Sequence, residues 1–391
     1  MLKKKRKGND LMRFISIAAR PMPSGPCGGS GGVSYRLMKA NEKYRMFEDT
    51  VFIFTDRCIS SSEGEVNVDS TPKEQQIIEL EEYYAQLDDI LHFNDGDFFV
   101  FHNIEAFCAM KDRFTWIEKS LVVYHQQGSM YSEYLFMGNK PDEVYEKACF
   151  YLTSFAVEKS GVFGFPSVGA KQAMIDTLPE IGPYLEKKKE AILYNGCSPV
   201  LPTDESAVDG LIEILDQVRG YIFITVATLN EAKGVERLPA FFREYGKLVE
   251  DYFWIVIGNG AKREELSKGL EDLEGHVIWL DGWVDNRDII RLYNRADFYI
   301  LSHRFSIFDY ATIEAMHMGC IPILTPVGGN LEMIIEDNGY FLDDTLSGKG
   351  FAAWCMDQDI EELKERNRRI AQERFSEYSM LKAYYDVAND Q

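Results

Sequence analysis

Short β-branched or aromatic apolar runs alternate with amphipathic stretches along the whole chain, and this alternation limits the fold more than any other feature. It is the pattern of parallel α/β layers, in which strands are buried on both faces and helices cover them. In the first half the pattern predicts strands at 13–18, 51–55, 98–101, 120–124 and 191–194. Helices lie between them, beginning near Gly32 and Pro72, and 72–91 is strongly amphipathic. In the second half it predicts strands at 221–226, 253–257, 277–280, 297–301 and 321–324. The helices expected there lie near 234–248, 262–270, 285–295, 310–318 and 330–336.

The chain has 391 residues, long enough for two domains with separate cores. Asn195-Gly196-Cys197-Ser198-Pro199 follows a strand and precedes a polar, acidic segment, which marks a hinge. The expected division is an N-terminal Rossmann-like domain over 1–200, a linker over 201–219 and a C-terminal Rossmann-like domain over 220–372. A final helix over 373–391 would pack back toward the N-terminal domain. In doubly wound sheets of this kind, ligands bind at the carboxyl ends of the strands.

The formal net charge of −21 works against binding nucleic acid or anionic lipid. Lys3-Lys4-Lys5-Arg6-Lys7 runs against that balance. Contact of Lys3, Arg6 and Lys7 with an anionic membrane surface is one reading, and a solvated tail is the other. No apolar run reaches the roughly 20 residues that span a bilayer, and the start has no signal-peptide core, so a cytoplasmic location is expected. Seven scattered cysteines without a C-x-x-C pair argue against a disulfide framework or a structural zinc site. Asp95-Gly96-Asp97 imitates a metal-binding D-x-D, but it leads into the run Phe98–Phe101 and reads better as a turn. No metal site is expected.

Candidate chemistry concentrates at 222–342. The strand Ile222–Val226 leads into Ala227-Thr228-Leu229-Asn230-Glu231-Ala232-Lys233-Gly234 and then a helix. A lysine at a strand-to-helix turn can hold a phosphate, helped by the N–H groups at the helix start. Ile255-Val256-Ile257-Gly258-Asn259-Gly260 ends another strand in G-x-G. Glu314 lies within an apolar helical stretch beside Ile313, Met316 and Met318. A carboxylate so placed needs a partner, and a ribose diol would offer two hydroxyls to it.

The ordered set VATLNEAKG, VIGNG, WLDGWV, ADFYILS, IEAMHMGCIPILTPVGGNLEMI and NGYFL resembles the C-terminal domain of family 4 retaining glycosyltransferases, whose GT-B fold sets two Rossmann-like domains facing each other across a cleft. In the first half, Gly28-Gly29-Ser30-Gly31-Gly32-Val33 looks like the family's glycine-rich loop. Phe101-His102-Asn103 looks like its strand-end histidine, and Tyr124-His125-Gln126-Gln127-Gly128 like its loop at the cleft.

The resemblance implies sugar transfer from a nucleoside diphosphate to a saccharide, lipid-linked or protein-linked acceptor, with the nucleotide sugar as co-substrate and no further cofactor. Lys233 would contact the donor diphosphate, Glu314 the ribose, and His125 the neighbourhood of the reacting carbon; these three are the implied catalytic set. Ser306, Ile307, Phe308, Asp309 and Tyr310 would surround the donor sugar. Gly31, Gly32, Thr228, Gly258 and Asn259 complete the donor side, while Gly28, Gly29, His102 and His125 form the acceptor side. Two positions depart from the family: Ser306 stands where a glutamate is usual, and Thr228 where an arginine is usual. They support the first of two rivals. One is a subunit without turnover that chaperones or partners another glycosyltransferase. The other is a sugar-nucleotide epimerase of the same fold.

Overall fold

A computed structural model of the chain describes residues 12–18, 22–23, 25, 29–54, 73–110, 119–136, 138–204 and 206–390. Lys3, Arg6, Lys7 and Gly28 lie outside the described residues. The chain forms two compact units, one comprising 1–194 with 380–391 and the other 195–379.

The first unit holds six parallel strands: β1 (Arg13–Ala18), β2 (Asp49–Phe54), β3 (Asp97–Phe101), β4 (Leu121–Val123), β5 (Val162–Phe165) and β6 (Glu190–Ile192). Their order is β2-β1-β3-β4-β5-β6. Phe14 of β1 faces Thr50 on one side and Phe98 on the other. β1, β3, β4 and β5 are buried throughout, and Phe98–Phe101 in β3 and Leu121–Val123 in β4 are the apolar runs expected of such strands. Helices Gly29–Tyr44, Lys73–Leu91, Ile104–Met110, Glu143–Lys159 and Val168–Thr177 belong to the same unit. Asp142 starts one of them by accepting from the N–H groups of Val144 (2.9 Å) and Tyr145 (3.1 Å). The last helix of the chain, Glu377–Asn389, belongs to this unit from Met380 onward.

The second unit holds β7 (Tyr221–Val226), β8 (Tyr252–Ile257), β9 (Val277–Leu280), β10 (Phe298–Leu301), β11 (Ile321–Leu324) and β12 (Tyr340–Phe341), in the order β12-β11-β10-β7-β8-β9. This is the Rossmann strand order, and the direction of winding reverses between β7 and β10. That pair is fixed firmly. Phe223 of β7 stacks on Phe298 of β10 at 5.1 Å and meets Phe242 and Tyr245 edge-on at 5.2 and 5.3 Å. Each such pair contributes roughly 0.5–1.5 kcal/mol beyond its buried area. Buried Thr225 donates to the Ile300 carbonyl at 2.7 Å and accepts from the Trp254 indole at 3.1 Å, tying β7 to both neighbours.

The structure departs from the sequence expectations at identifiable places. β5 and β12 were not predicted: Val162–Phe165 is four residues between Gly161 and Pro166, and Tyr340–Phe341 is only two. Residues expected to form a helix over 330–336 form a 3-10 turn, Gly328–Glu332. The expected linker 201–219 contains the helix Asp209–Leu215, which an ion pair from Arg291 to Asp209 joins to 286–295, and a second pair from Arg287 reaches Asp204 ahead of that helix. Among the described residues no helix is long and apolar enough to cross a membrane.

Candidate functional site

The second unit's reversal point gathers two loops, one from each strand on either side of it. After β7, the loop 227–234 is anchored to β8 by bonds from Ala227 N to Ile257 O (3.1 Å) and from Leu229 N to Asn259 O (3.0 Å). Gly258 lies so close that a Cβ there would sit 1.9 Å from the Ala227 carbonyl, and its φ of +142° also favours glycine. This gives Gly258 a packing role. Thr228 and Asn259 are exposed on the same loops. After β10, the loop 302–309 is tied to the first by Ser302 Oγ donating to Gly234 O (2.6 Å) and by Arg304 N to Ala232 O (2.8 Å). Gly234, at φ +63°, allows that approach, since a Cβ would fall 2.2 Å from Ser302 O.

These ties bring Lys233 against the start of the helix Tyr310–Met318. Its ammonium donates to Asp309 Oδ1 and lies 3.3 Å from His303 Nε2. Asp309 Oδ2 accepts from Thr312 N and Thr312 Oγ1, both at 3.1 Å, and from the Tyr299 hydroxyl at 3.3 Å. Burial alone would push the Asp309 carboxyl up, but the Lys233 charge and the His303 bond outweigh it and hold the group well below the usual carboxylate range. His303 is buried and its affinity for a proton is lowered, first by burial and then by Lys233, against a smaller opposing effect of Asp309. It is therefore neutral near pH 7. Its carbonyl accepts from Thr325 Oγ1 at 2.6 Å, and its Nδ1 lies 3.3 Å from the Asn330 amide nitrogen.

Glu314 is buried in the helix Tyr310–Met318, at 7% exposure. Its charge acts on Tyr299 and Tyr293, and Tyr299 also bonds Asp309, so the two carboxylates share one neighbourhood. Ser306 is buried too, and its hydroxyl has no hydrogen-bond partner among the described residues. Phe308 is buried. Its ring packs on Phe375 at 5.1 Å and its carbonyl accepts from Asn195 at 2.9 Å, so it anchors the loop. Ile307 and Tyr310 flank it, and Ile307 is half-buried. Arg304 is matched by Glu236 (2.6 Å) and Glu231 (3.1 Å).

The first unit has its own reversal point, between β1 and β3. Gly29, Gly31 and Gly32 open the helix Gly29–Tyr44, and Gly31 and Gly32 are buried. Beside that helix runs a polar chain. Ser34 Oγ bonds Ser16 Oγ (2.8 Å), Ser16 Oγ bonds His102 Nε2 (3.2 Å), and His102 Nδ1 bonds His125 Nε2 (3.1 Å). Burial, and then the neighbouring His125, keep His102 well below its ordinary value. Burial takes His125 down to about 4. Both rings are neutral at pH 7, so the pair can orient or relay a proton but carries no positive charge. Asp97 is not free for a metal: Arg13 holds both its oxygens, at 3.0 and 2.5 Å, and Asn94 N donates to it at 2.9 Å.

Residues 213–378 match the family model of group 1 glycosyl transferases. The matched stretch contains Lys233, His303, Asp309 and Glu314. A curated relative, an uncharacterized glycosyltransferase of Methanocaldococcus jannaschii, is 24% identical over 198 residues, 46% of this chain and 50% of the relative. The chain thus spans about half the length of the curated relative it matches. Among solved structures, sucrose-phosphate synthase from Thermosynechococcus elongatus aligns with a TM-score of 0.72 at 14% identity, over 97% of this chain and 98% of that one. Anabaena HepE, in complex with UDP and glucose, aligns with 0.67 at 15% identity, over 97% and 100%. The GtfA/B complex aligns with 0.58 at 14% identity, over 81% of this chain and 60% of that chain. At these identities the likenesses show the fold alone: two parallel six-stranded α/β units, as in GT-B glycosyltransferase structures.

Sequence reasoning missed His303, Asn330, Tyr299, Ser16 and Ser34 as members of these clusters. His303 had one available signal, since it stands two residues beyond β10 at the reversal point.

Proposed function

We propose that the chain is a retaining glycosyltransferase of the family 4 type. It would move a hexosyl or deoxyhexosyl group from a nucleoside diphosphate to a hydroxyl of a saccharide, lipid-linked or protein-linked acceptor. The observation supporting this reading is that Lys233 ends the loop after β7 and meets Asp309, while buried Ser306 and Glu314 lie on the loop and helix that follow β10, all within the stretch that matches group 1 glycosyl transferases.

In this reading the bond from the anomeric carbon to the phosphate oxygen breaks as the acceptor oxygen bonds the same carbon. The acceptor's proton passes to the departing phosphate. Lys233 stabilises the charge gathering on the diphosphate, Glu314 holds the ribose diol, and the Ser306 hydroxyl faces the sugar. His125, neutral and oriented by His102, serves the acceptor side as a hydrogen-bonding group and not as a cation. No cofactor or metal beyond the donor is invoked. A role in surface polysaccharide or glycoconjugate synthesis at the cytoplasmic face of a membrane fits the same reading, with Lys3, Arg6 and Lys7 meeting anionic lipid.

A second reading draws on one observation, that Asp309 already matches the charge of Lys233. In it the chain has lost turnover and supports another glycosyltransferase. One experiment separates the two: a panel of nucleoside diphosphate sugars scored for transfer, with and without a partner transferase. Transfer by the isolated chain supports catalysis. Activity confined to the mixture, and unchanged by Lys233→Ala in this chain, supports the second reading.

A further inference from the structure

The Lys233 ammonium, the group best placed to meet a diphosphate, is already satisfied by the protein. It donates to Asp309 Oδ1, and the two side chains keep only 21% and 11% of their surface exposed. The partners are not equally free to move. Asp309 is held at its other oxygen by Thr312 N, Thr312 Oγ1 and Tyr299 Oη, and turning it away would uncap the helix Tyr310–Met318. Lys233 hangs on a flexible four-carbon stem, and its remaining close neighbour is the neutral His303 ring at 3.3 Å.

Nearby charges do not make up the difference. Arg304 is spent on Glu236 and Glu231, and Arg237 lies beside Arg304, Glu236 and Glu231 while donating to the Ser302 carbonyl at 3.4 Å. The Lys233–Asp309 pair contributes no net charge to the pocket.

We infer that Asp309 is an internal counter-ion that competes with the ligand's phosphates for Lys233, so that it sets how weakly this chain holds a nucleoside diphosphate. The inference rests on the donor reading proposed above. A diphosphate approaching the intact pair meets a fixed carboxylate of its own sign. One that draws Lys233 away leaves that carboxylate unpaired in a partly buried site. Either route lowers affinity for the phosphates and leaves recognition of the nucleoside unchanged. It also favours release of the diphosphate after transfer.

The test compares the parent chain with Asp309→Asn and Asp309→Ser by calorimetry at pH 7.5. The probes are UDP and GDP, with uridine and guanosine as controls. Asn and Ser each keep a side-chain oxygen that can cap the helix while removing the charge, so if one variant fails to fold the other still decides the matter. The expected result is a gain of about tenfold or more in affinity for whichever diphosphate the parent binds, with nucleoside affinity unchanged. Unchanged or weaker diphosphate binding by the variants, with the parent still binding, overturns the counter-ion role and leaves the donor reading standing. An equal gain for nucleoside and diphosphate also overturns it, because the effect would then not lie at the phosphates. Failure of parent and variants alike to bind either diphosphate overturns both.

Discussion

Asp309 holds Lys233 through one carboxylate oxygen and caps the helix Tyr310–Met318 through the other, so one side chain joins the loops after β7 and β10. Removing it breaks both connections. Asp309→Ala should lower stability by roughly 1–2 kcal/mol through the lost cap, with a further loss from a half-buried ammonium left unmatched. Asp309→Asn, which keeps the cap, should cost less. Urea unfolding midpoints check the order, and equal losses would show that the cap contributes nothing.

Glu314→Gln should reduce affinity for a ribonucleotide more than for its 2′-deoxy analogue. A carboxylate accepting from both hydroxyls has less to lose once one is absent. Parallel titrations of the two nucleotides decide it, and equal losses would remove the ribose from Glu314.

The pH dependence of stability follows from the histidines. His102, His125, His303 and His317 all have lowered proton affinity in the folded chain, with burial the first cause in each. Between pH 6.5 and about 4 the unfolded chain therefore binds more protons than the folded one, so stability must fall as pH falls through that window. Above pH 6.5 the contribution is fully present. His125 alone, with its value near 4, supplies up to about 3 kcal/mol of this change. Unfolding midpoints at pH 7.5 and 5.0 measure it. His125→Asn should flatten the difference, and a parent equally stable at both would contradict the burial argument.

Transfer activity should survive EDTA, because the proposed chemistry holds the departing diphosphate through Lys233 and calls on no metal. Loss on chelation, restored by Mg²⁺ or Mn²⁺, would point to a metal, and it could not be at Asp97 without displacing Arg13.

The sequence made some of this legible and hid the rest for physical reasons. β7 and β11 fall at their predicted limits because largely buried parallel strands leave local apolar runs, and β9, half-buried at the sheet edge, does so because Val277–Leu280 is itself apolar. Lys233 and Glu314 stood out because a strand-end lysine and a carboxylate in an apolar helix are also local signals. The bond between Lys233 and Asp309 joins residues 76 apart, and no periodicity carries that information. The chain Ser34–Ser16–His102–His125 was hidden likewise, since four segments supply it. The packing of Phe308 on Phe375 was hidden too, since it depends on a residue 67 positions later.

The central claim is that the reversal point between β7 and β10 binds the diphosphate of a sugar donor through Lys233. Calorimetric titration of UDP and GDP into the parent chain and into Lys233→Ala, with circular dichroism confirming that both are folded, tests this most directly. Binding by the parent, weakened in the variant by about 1.5–3 kcal/mol or roughly 10- to 150-fold, is the expected result. Equal affinity in the two proteins, or no binding of either nucleotide by the parent, would contradict it.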